Sequence, residues 1–177
     1  MFVESEIEDC IKIYPSTEDV KLAIYNILNQ KYRNKYISKM GIGIFISKNF
    51  DVIERKCVED FILYKIQFNI FFCRFLKDEI LEGVISDQKD NGIFVSIHFY
   101  DKIYIPIEYL PDNSEITYVY DENKNKSLVW VWNYKNSRFY IKSNDVIKYK
   151  VVRYDEKHGR LIATIKDSGL GPINWWK

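Results

Sequence analysis

The chain has 177 residues, of which 47% are hydrophobic and 16% aromatic, enough to form one ordinary domain or two small ones. Its 26 basic residues nearly balance 25 acidic residues, so the formal net charge is +1. Proteins that bind nucleic acid alone by releasing counterions usually have a clear excess of positive charge, and this composition disfavours that class.

Targeting and membrane-spanning segments are also disfavoured by the sequence. The first nine residues include four acids, the wrong charge for a secretory or mitochondrial signal. No apolar run approaches the roughly 18 residues that a membrane-spanning helix needs. Three cysteines without paired spacing fit a reducing compartment. We therefore expect a soluble, intracellular protein.

The first half of the chain predicts a small sheet with one helix packed on it. An extended segment runs to Pro15, and residues 16–41 then have apolar residues at spacings of three and four, which indicates a helix. Ser16 or Thr17 is predicted to cap this helix, and Gly41 to end it. Strand-like runs follow up to about residue 79. We assign residues 1–79 to this first domain.

The second half predicts a barrel of short strands. Apolar segments alternate with turn signals, of which Asn91-Gly92 is a strong hairpin turn because both residues tolerate positive φ. Five to seven such strands over about a hundred residues fit an OB-type barrel. The predicted fold class is therefore α+β, with the barrel domain and its C-terminal tail spanning residues 80–177.

The strand predicted at residues 93–100 has an unusual outer face. Every second residue from Ile93 to Phe99 is apolar, so this set is predicted to face the core, and the residues between them to face outward. The rings and cations of the outward set, continued on the next strand, are Phe94, His98, Tyr100, Lys102 and Tyr104. Such a set can stack on bases of single-stranded nucleic acid. Alternatively, the rings only cover the barrel or pack against the first domain.

Four tryptophans indicate buried contacts rather than ligand binding. Trp130 and Trp132 share one face of the segment VWVWNY, which favours packing at a domain or subunit junction. Trp175 and Trp176 lie in the closing segment GLGPINWWK, where exposed indoles at a fraying end would lower solubility. We expect these four residues to pack at the domain junction or against a partner protein.

Catalytic patterns are absent from the sequence. The two histidines, His98 and His158, are sixty residues apart and neither has metal-ligand spacing. Two Gly-x-Gly motifs lack the following helix that a phosphate loop needs, and no nucleophile motif occurs. We expect no catalytic residue, no metal and no cofactor.

Several stretches together resemble a known family, the larger stalk subunit of nuclear RNA polymerases. The closing GLGPINWW favours the RNA polymerase III member over its polymerase II counterpart. The stretches are MFV and IEDCIKI at the start, ILNQKYRNKYISKMGIGIFI, DEILEGVISDQKDNGIFVSIHFYDKIYIP, VWVWNY, and GLG followed by WW.

The resemblance implies a truncated RNP-like domain followed by an OB-type barrel, paired with a smaller helical subunit to form a stalk in the nucleus. It implies that the first domain docks on the polymerase core, that the barrel weakly contacts nascent RNA during initiation, and that catalysis belongs to other subunits. The implied RNA-binding residues are Phe94, His98, Tyr100, Lys102 and Tyr104. The implied core-docking residues are Glu54, Arg55, Lys56 and Phe61. The implied partner or junction residues are Trp130, Trp132, Trp175 and Trp176.

Three departures from the family pattern distinguish this chain. The segment ERKCVEDF has no glycine or proline where the family has a Gly/Pro-rich turn, and the proline after the central strand is replaced by CRF around Arg74. The acidic insertion before the last strand is missing, and RYDEKHGRLIA predicts a tight hairpin there. Two alternatives stay open: the polymerase II stalk subunit, and a free-standing OB-fold RNA-binding factor.

Overall fold

The computed structural model describes residues 1–120 and 126–176 of the chain. Their contacts divide it into two compact units, with the division between Phe75 and Leu76. Sheet dominates both units and the first contains the main helix, so the predicted α+β class is confirmed. The sequence-based boundary at residues 79 and 80 coincides with the start of the first strand of the second unit.

The first unit is a four-stranded antiparallel sheet in the order β1-β4-β3-β2, with helix α1 on one face. Its elements are β1 (Phe2–Ile13), α1 (Val20–Tyr32), β2 (Tyr36–Ile37), β3 (Gly41–Val58) and β4 (Phe61–Cys73). Alternate residues of β4, among them Ile66, Phe68 and Ile70, are buried under the helix with Ile24 and Leu28. Each fully buried side chain of this size stabilises the unit by about 1.5–3 kcal/mol.

The helix is shorter than the sequence predicted at both ends. Asp19 caps it, its side chain accepting a hydrogen bond from the Leu22 amide at 2.9 Å, so neither Ser16 nor Thr17 is the cap. The helix ends at Tyr32 because Asn34 adopts the left-handed conformation with φ of 57°. Residues 36 and 37 then form β2 instead of a last helical turn.

Gly43 explains why the chain returns so closely to the helix. A Cβ at this position would lie 2.4 Å from the carbonyl oxygen of Tyr32, so only glycine lets β3 pass the helix end. The Asn34 amide donates to the Gly43 carbonyl at 2.7 Å. The glycine predicted to end the helix, Gly41, instead begins β3.

The second unit contains a closed five-stranded barrel in the order β12-β7-β6-β5-β11, with β11 also pairing with β12. The strand β12 runs parallel to β7, and the other barrel pairs are antiparallel. This agrees with the predicted OB-type barrel. Its strands are β5 (Ile80–Lys89), β6 (Gly92–Ile97), β7 (Tyr100–Pro106), β11 (Val146–Asp155) and β12 (Arg160–Thr164).

A separate three-stranded sheet is inserted between β7 and β11, in the order β10-β9-β8. The segments VWVWNY and RFYI, whose alternation also fits barrel strands, belong to this sheet instead. The inserted strands are β8 (Ser114–Tyr120), β9 (Lys126–Tyr134) and β10 (Ser137–Ile141). After β12, a two-residue strand β13 (Gly171–Pro172) pairs with β11, and a 3-10 turn covers Ile173–Trp176.

A buried glutamine helps to attach the inserted sheet to the barrel. The Gln88 side chain at the end of β5 donates to the Ile141 carbonyl at 2.8 Å and accepts from the Trp130 amide at 3.0 Å. The Trp130 indole donates to the Lys89 carbonyl at 2.9 Å. Side-chain hydrogen bonds therefore link β5 to β9 and β10 without a backbone ladder.

No helix in the described part of the chain is long and apolar enough to cross a membrane.

Candidate nucleic-acid interface

The hairpin of β6 and β7 carries most of the residues that the sequence predicted for RNA. The predicted continuous strand over residues 93–100 is wrong, because β6 ends at Ile97 and a turn at His98 and Phe99 leads into β7. A register shift between Val95 and Ile97 precedes the turn. The interruption places His98 exposed at the tip of the hairpin.

Phe94 and Tyr104 are direct cross-strand partners on this hairpin. Their ring centroids are 4.9 Å apart with an interplanar angle of 41°. The Arg160 guanidinium carbon lies 3.9 Å from the Tyr104 ring centroid, and the Lys89 ammonium lies 5.1 Å from the Phe94 ring centroid. These four residues form a row across β5, β6, β7 and β12 in which a cation lies at each end, an arrangement that cation–π attraction stabilises. We call it the cation–ring row.

Two of the five predicted RNA-binding residues are not open to solvent. Tyr100 and Tyr104 are each 4% exposed, so the prediction that both rings stand open on the outer face is wrong. Arg160 covers the Tyr104 ring, and the Tyr100 hydroxyl lies 3.5 Å from the Gly159 carbonyl oxygen, under the β11–β12 hairpin. Burial raises the pKa of both tyrosines above their ordinary value.

The three other predicted residues are accessible. Phe94 is half-buried, while His98 and Lys102 are exposed. Phe94 can therefore offer part of its ring to a base, with Lys89 beside it for a phosphate. Lys89 also lies 3.7 Å from Asp87, which reduces the local positive charge. The arrangement suits weak contact with a single strand.

The cation–ring row ends in a small ionic cluster that sequence reasoning missed. Asp155 accepts a hydrogen bond from His158 Nδ1 at 2.7 Å and lies 3.6 Å from Arg160 Nε. The His158 hydrogen bond is the main cause that lowers the pKa of Asp155. All three residues belong to the tight β11–β12 hairpin, which approaches β7 only because β12 pairs with it in parallel. Sequence spacing contains no signal for that pairing.

The predicted core-docking residues lie together on the β3–β4 hairpin. Glu54, Arg55 and Lys56 are exposed, and Phe61 is half-buried at the start of β4. The turn between the strands uses Glu59, whose φ of 43° takes the place of the glycine found in the family pattern. The hairpin therefore forms without a Gly/Pro-rich turn.

The second unit itself buries Trp130 and half-buries Trp132 and Trp175, while Trp176 stays exposed. Trp130 is 3% exposed. The Trp132 ring lies 5.3 Å from that of Trp175. The indole of Trp175 donates to the Tyr140 carbonyl at 3.3 Å, and that of Trp176 donates to the Leu170 carbonyl at 2.9 Å. Contact of these residues with a partner stays a prediction.

Two glycines turn the chain back toward the inserted sheet. Gly169 and Gly171 have φ values of 85° and 95°. A Cβ on Gly171 would lie 2.8 Å from the Trp175 ring, so this glycine also leaves room for the indole.

Metal-ligating side chains are not clustered in the described residues. Within residues 1–120 and 126–176, no three His, Cys, Asp or Glu side chains come together in a group that could hold a metal ion.

Comparison with known proteins finds similarity to RNA polymerase III subunits. Residues 79–158, most of the barrel and the inserted sheet, match the family model described as RNA polymerase III subunit Rpc25. The chain is 27% identical to DNA-directed RNA polymerase III subunit rpc8 of Schizosaccharomyces pombe, over 100% of both proteins. It is 28% identical to RPC8 of Bos taurus, over 99% of this chain and 98% of the relative. These matches confirm the resemblance to the stalk subunit of RNA polymerase III.

Both alignments contain gaps in this chain. Each runs over 215 positions, whereas the chain has 177 residues, so it contains gaps relative to both proteins.

Proposed function

We propose that this relative of the RNA polymerase III subunit Rpc25 is the larger subunit of the polymerase III stalk. The observation that carries the proposal is the end-to-end alignment with two proteins named as polymerase III subunits. A helix-covered sheet followed by an OB-type barrel fits the architecture that the resemblance implies. In this role the protein works in the nucleus and assists initiation, and the catalytic residues for RNA synthesis lie in other subunits.

The first unit is proposed to dock on the polymerase core. The exposed end of β3 offers a negative charge on Glu54 and positive charges on Arg55 and Lys56 to a partner surface. Phe61, at the start of β4, adds an apolar contact. A smaller helical subunit completes the stalk. Of the four tryptophans, Trp176 is 47% exposed and is the candidate for its contact surface, whereas Trp130 is 3% exposed and packs within the second unit.

The barrel is proposed to contact nascent RNA weakly through the accessible part of the cation–ring row. Phe94 supplies a stacking surface with Lys89 beside it, and the exposed His98 and Lys102 supply hydrogen-bond donors or positive charge elsewhere on the same hairpin. Tyr104 packs beside Phe94 and is buried under Arg160, so it supports the Phe94 ring without offering a stacking surface of its own. The near-neutral net charge agrees with an RNA contact that depends on the rest of the polymerase.

Purification from the native cell tests the proposal. The chain is tagged at its N-terminus, isolated, and its co-eluting proteins are identified by mass spectrometry. We expect the large subunits of polymerase III together with one small helical protein. Recovery of polymerase II subunits would assign the chain to that stalk, and recovery of neither polymerase would contradict the proposal.

A free-standing OB-fold RNA-binding factor is the second candidate, because the cation–ring row lies on the strands that OB folds use for oligonucleotides. A free-standing factor would have to bind RNA tightly as the purified chain alone. Titration of the chain with oligouridine at several salt concentrations separates the candidates: submicromolar, salt-dependent binding without a partner favours the free factor.

A further inference from the structure

Five aromatic rings line a cavity of about 300 Å³ on the second unit, away from the cation–ring row. The rings come from the inserted sheet and from the C-terminal turn. We call this cavity the aromatic groove, and its rings belong to Trp132, Tyr134, Phe139, Trp175 and Trp176. Tyr134 and Trp176 are each 47% exposed. Exposed clusters of large rings usually mark binding sites.

The rings are held in place before any ligand arrives. Trp132 lies 4.9 Å from Tyr134 and 5.3 Å from Trp175, measured between ring centroids. Hydrogen bonds from the indoles of Trp175 and Trp176 to main-chain carbonyls fix both indoles. A ligand that binds here therefore pays little for ordering the protein side of the contact.

The charges around the groove disfavour a nucleic acid. Two charged residues line it, and each has a partner of opposite sign: Lys166 lies 2.7 Å from Asp112, and Asp167 pairs with Lys150. Lys135 lies over the Tyr134 ring at 5.2 Å. A phosphate backbone needs several unpaired cations along its path. The groove instead suits an uncharged, apolar segment. Lys135 does not line the groove but lies over its residue Tyr134, so it favours an acidic residue at the end of that segment.

Size and hydrogen bonding narrow the class of segment further. The cavity is at the small end of ligand pockets, so it accepts a few residues of extended chain rather than a helix. Strand addition to β10 is hindered at Tyr140, whose carbonyl already accepts the Trp175 indole. A polyproline II segment needs no strand ladder, and such segments bind to grooves lined with aromatic side chains.

We propose that the aromatic groove binds a proline-rich, polyproline II segment of a partner protein. The prolines pack on Tyr134, Trp132 and Trp176, and an acidic residue next to them faces Lys135. This site is separate from the cation–ring row and does not depend on whether that row contacts RNA.

Fluorescence anisotropy of the full chain tests the proposal. The probe is a fluorescein-labelled polyproline peptide with one terminal glutamate, compared with a glycine–serine peptide of equal length that has the same terminal glutamate. We expect saturable binding of the polyproline probe only, weakened about tenfold or more by Tyr134→Ala, which corresponds to loss of one strong ring contact.

Tyr140→Ala is the matched control, since Tyr140 is an exposed tyrosine of the same sheet that does not line the groove. Circular dichroism of both variants shows whether they fold, and Tyr134→Phe, which keeps the ring, is expected to retain most of the binding. Three results would overturn the proposal: no saturable polyproline binding, equal effects of Tyr134→Ala and Tyr140→Ala, or competition for the groove by oligouridine.

Discussion

At the scale of single residues, Phe94 and Tyr104 show how two rings with the same pattern differ in role. They alternate with core residues in the same way and are cross-strand partners. The Arg160 guanidinium nevertheless covers Tyr104, which is 4% exposed, while Phe94 stays half-buried. The sequence predicts the face on which both rings lie. It does not predict that Arg160 covers the Tyr104 ring, because Arg160 is distant in the chain.

Phe94→Ala is expected to weaken single-strand RNA binding by the assembled stalk. Loss of a stacking ring costs about 1–3 kcal/mol of binding free energy. Oligouridine binding is measured by anisotropy, with Phe45→Ala as control, since Phe45 is a 51% exposed phenylalanine of the first unit. If the Phe94→Ala variant folds and binds RNA as the wild type does, the Phe94 ring shields the barrel from solvent and does not contact RNA.

The stability of the first unit is expected to fall in alkaline solution. Burial, followed by the hydrogen bond and charge of Asp9, raises the pKa of Tyr32. The unfolded chain therefore loses this proton first, so the stabilisation is fully present below about pH 10 and declines as pH rises toward the folded pKa. Urea unfolding across this range measures the slope, and Tyr32→Phe should make it shallower. Equal slopes would contradict the assignment.

At the scale of elements, the C-terminal turn depends on a glycine pair that offers an internal control. Both Gly169 and Gly171 have positive φ, but only a Cβ on Gly171 would meet the Trp175 ring. Gly169→Ala is expected to cost only backbone strain, about 1–3 kcal/mol. Gly171→Ala should cost more and shift tryptophan fluorescence to longer wavelength. Equal losses of unfolding free energy would mean that Trp175 adapts freely.

The inserted sheet depends on Gln88. Replacing it with leucine leaves the Trp130 amide and the Ile141 carbonyl without their buried partner, and each unsatisfied group costs about 1–3 kcal/mol. Urea unfolding of Gln88→Leu is compared with that of Gln67→Leu, a half-buried glutamine of β4. Similar free energies of unfolding for the two variants would show that other contacts attach the sheet.

At the scale of the whole molecule, local patterns predicted the classes of structure and missed the long-range pairings. Alternation and turn signals indicated a helix-covered sheet and an OB-type barrel, and both are present. The helix end was missed because Asn34 and the close approach at Gly43 override the apolar spacing. The inserted sheet was missed because its strands have the same alternation as barrel strands. Arg160 was missed for the site because β12 reaches β7 only through a parallel pairing.

That parallel pairing also has a consequence for biosynthesis. The strand β7 ends at Pro106, and its second neighbour, β12, begins only at Arg160, after the whole inserted sheet. On a ribosome, β5 to β7 emerge as a meander with an open edge and wait for more than fifty further residues before closure. Contacts of such high sequence separation form late, and open edges invite aggregation meanwhile. A nascent chain stalled within the inserted sheet should therefore be a substrate for chaperones, whereas a chain whose β12 has emerged from the ribosome can close its barrel.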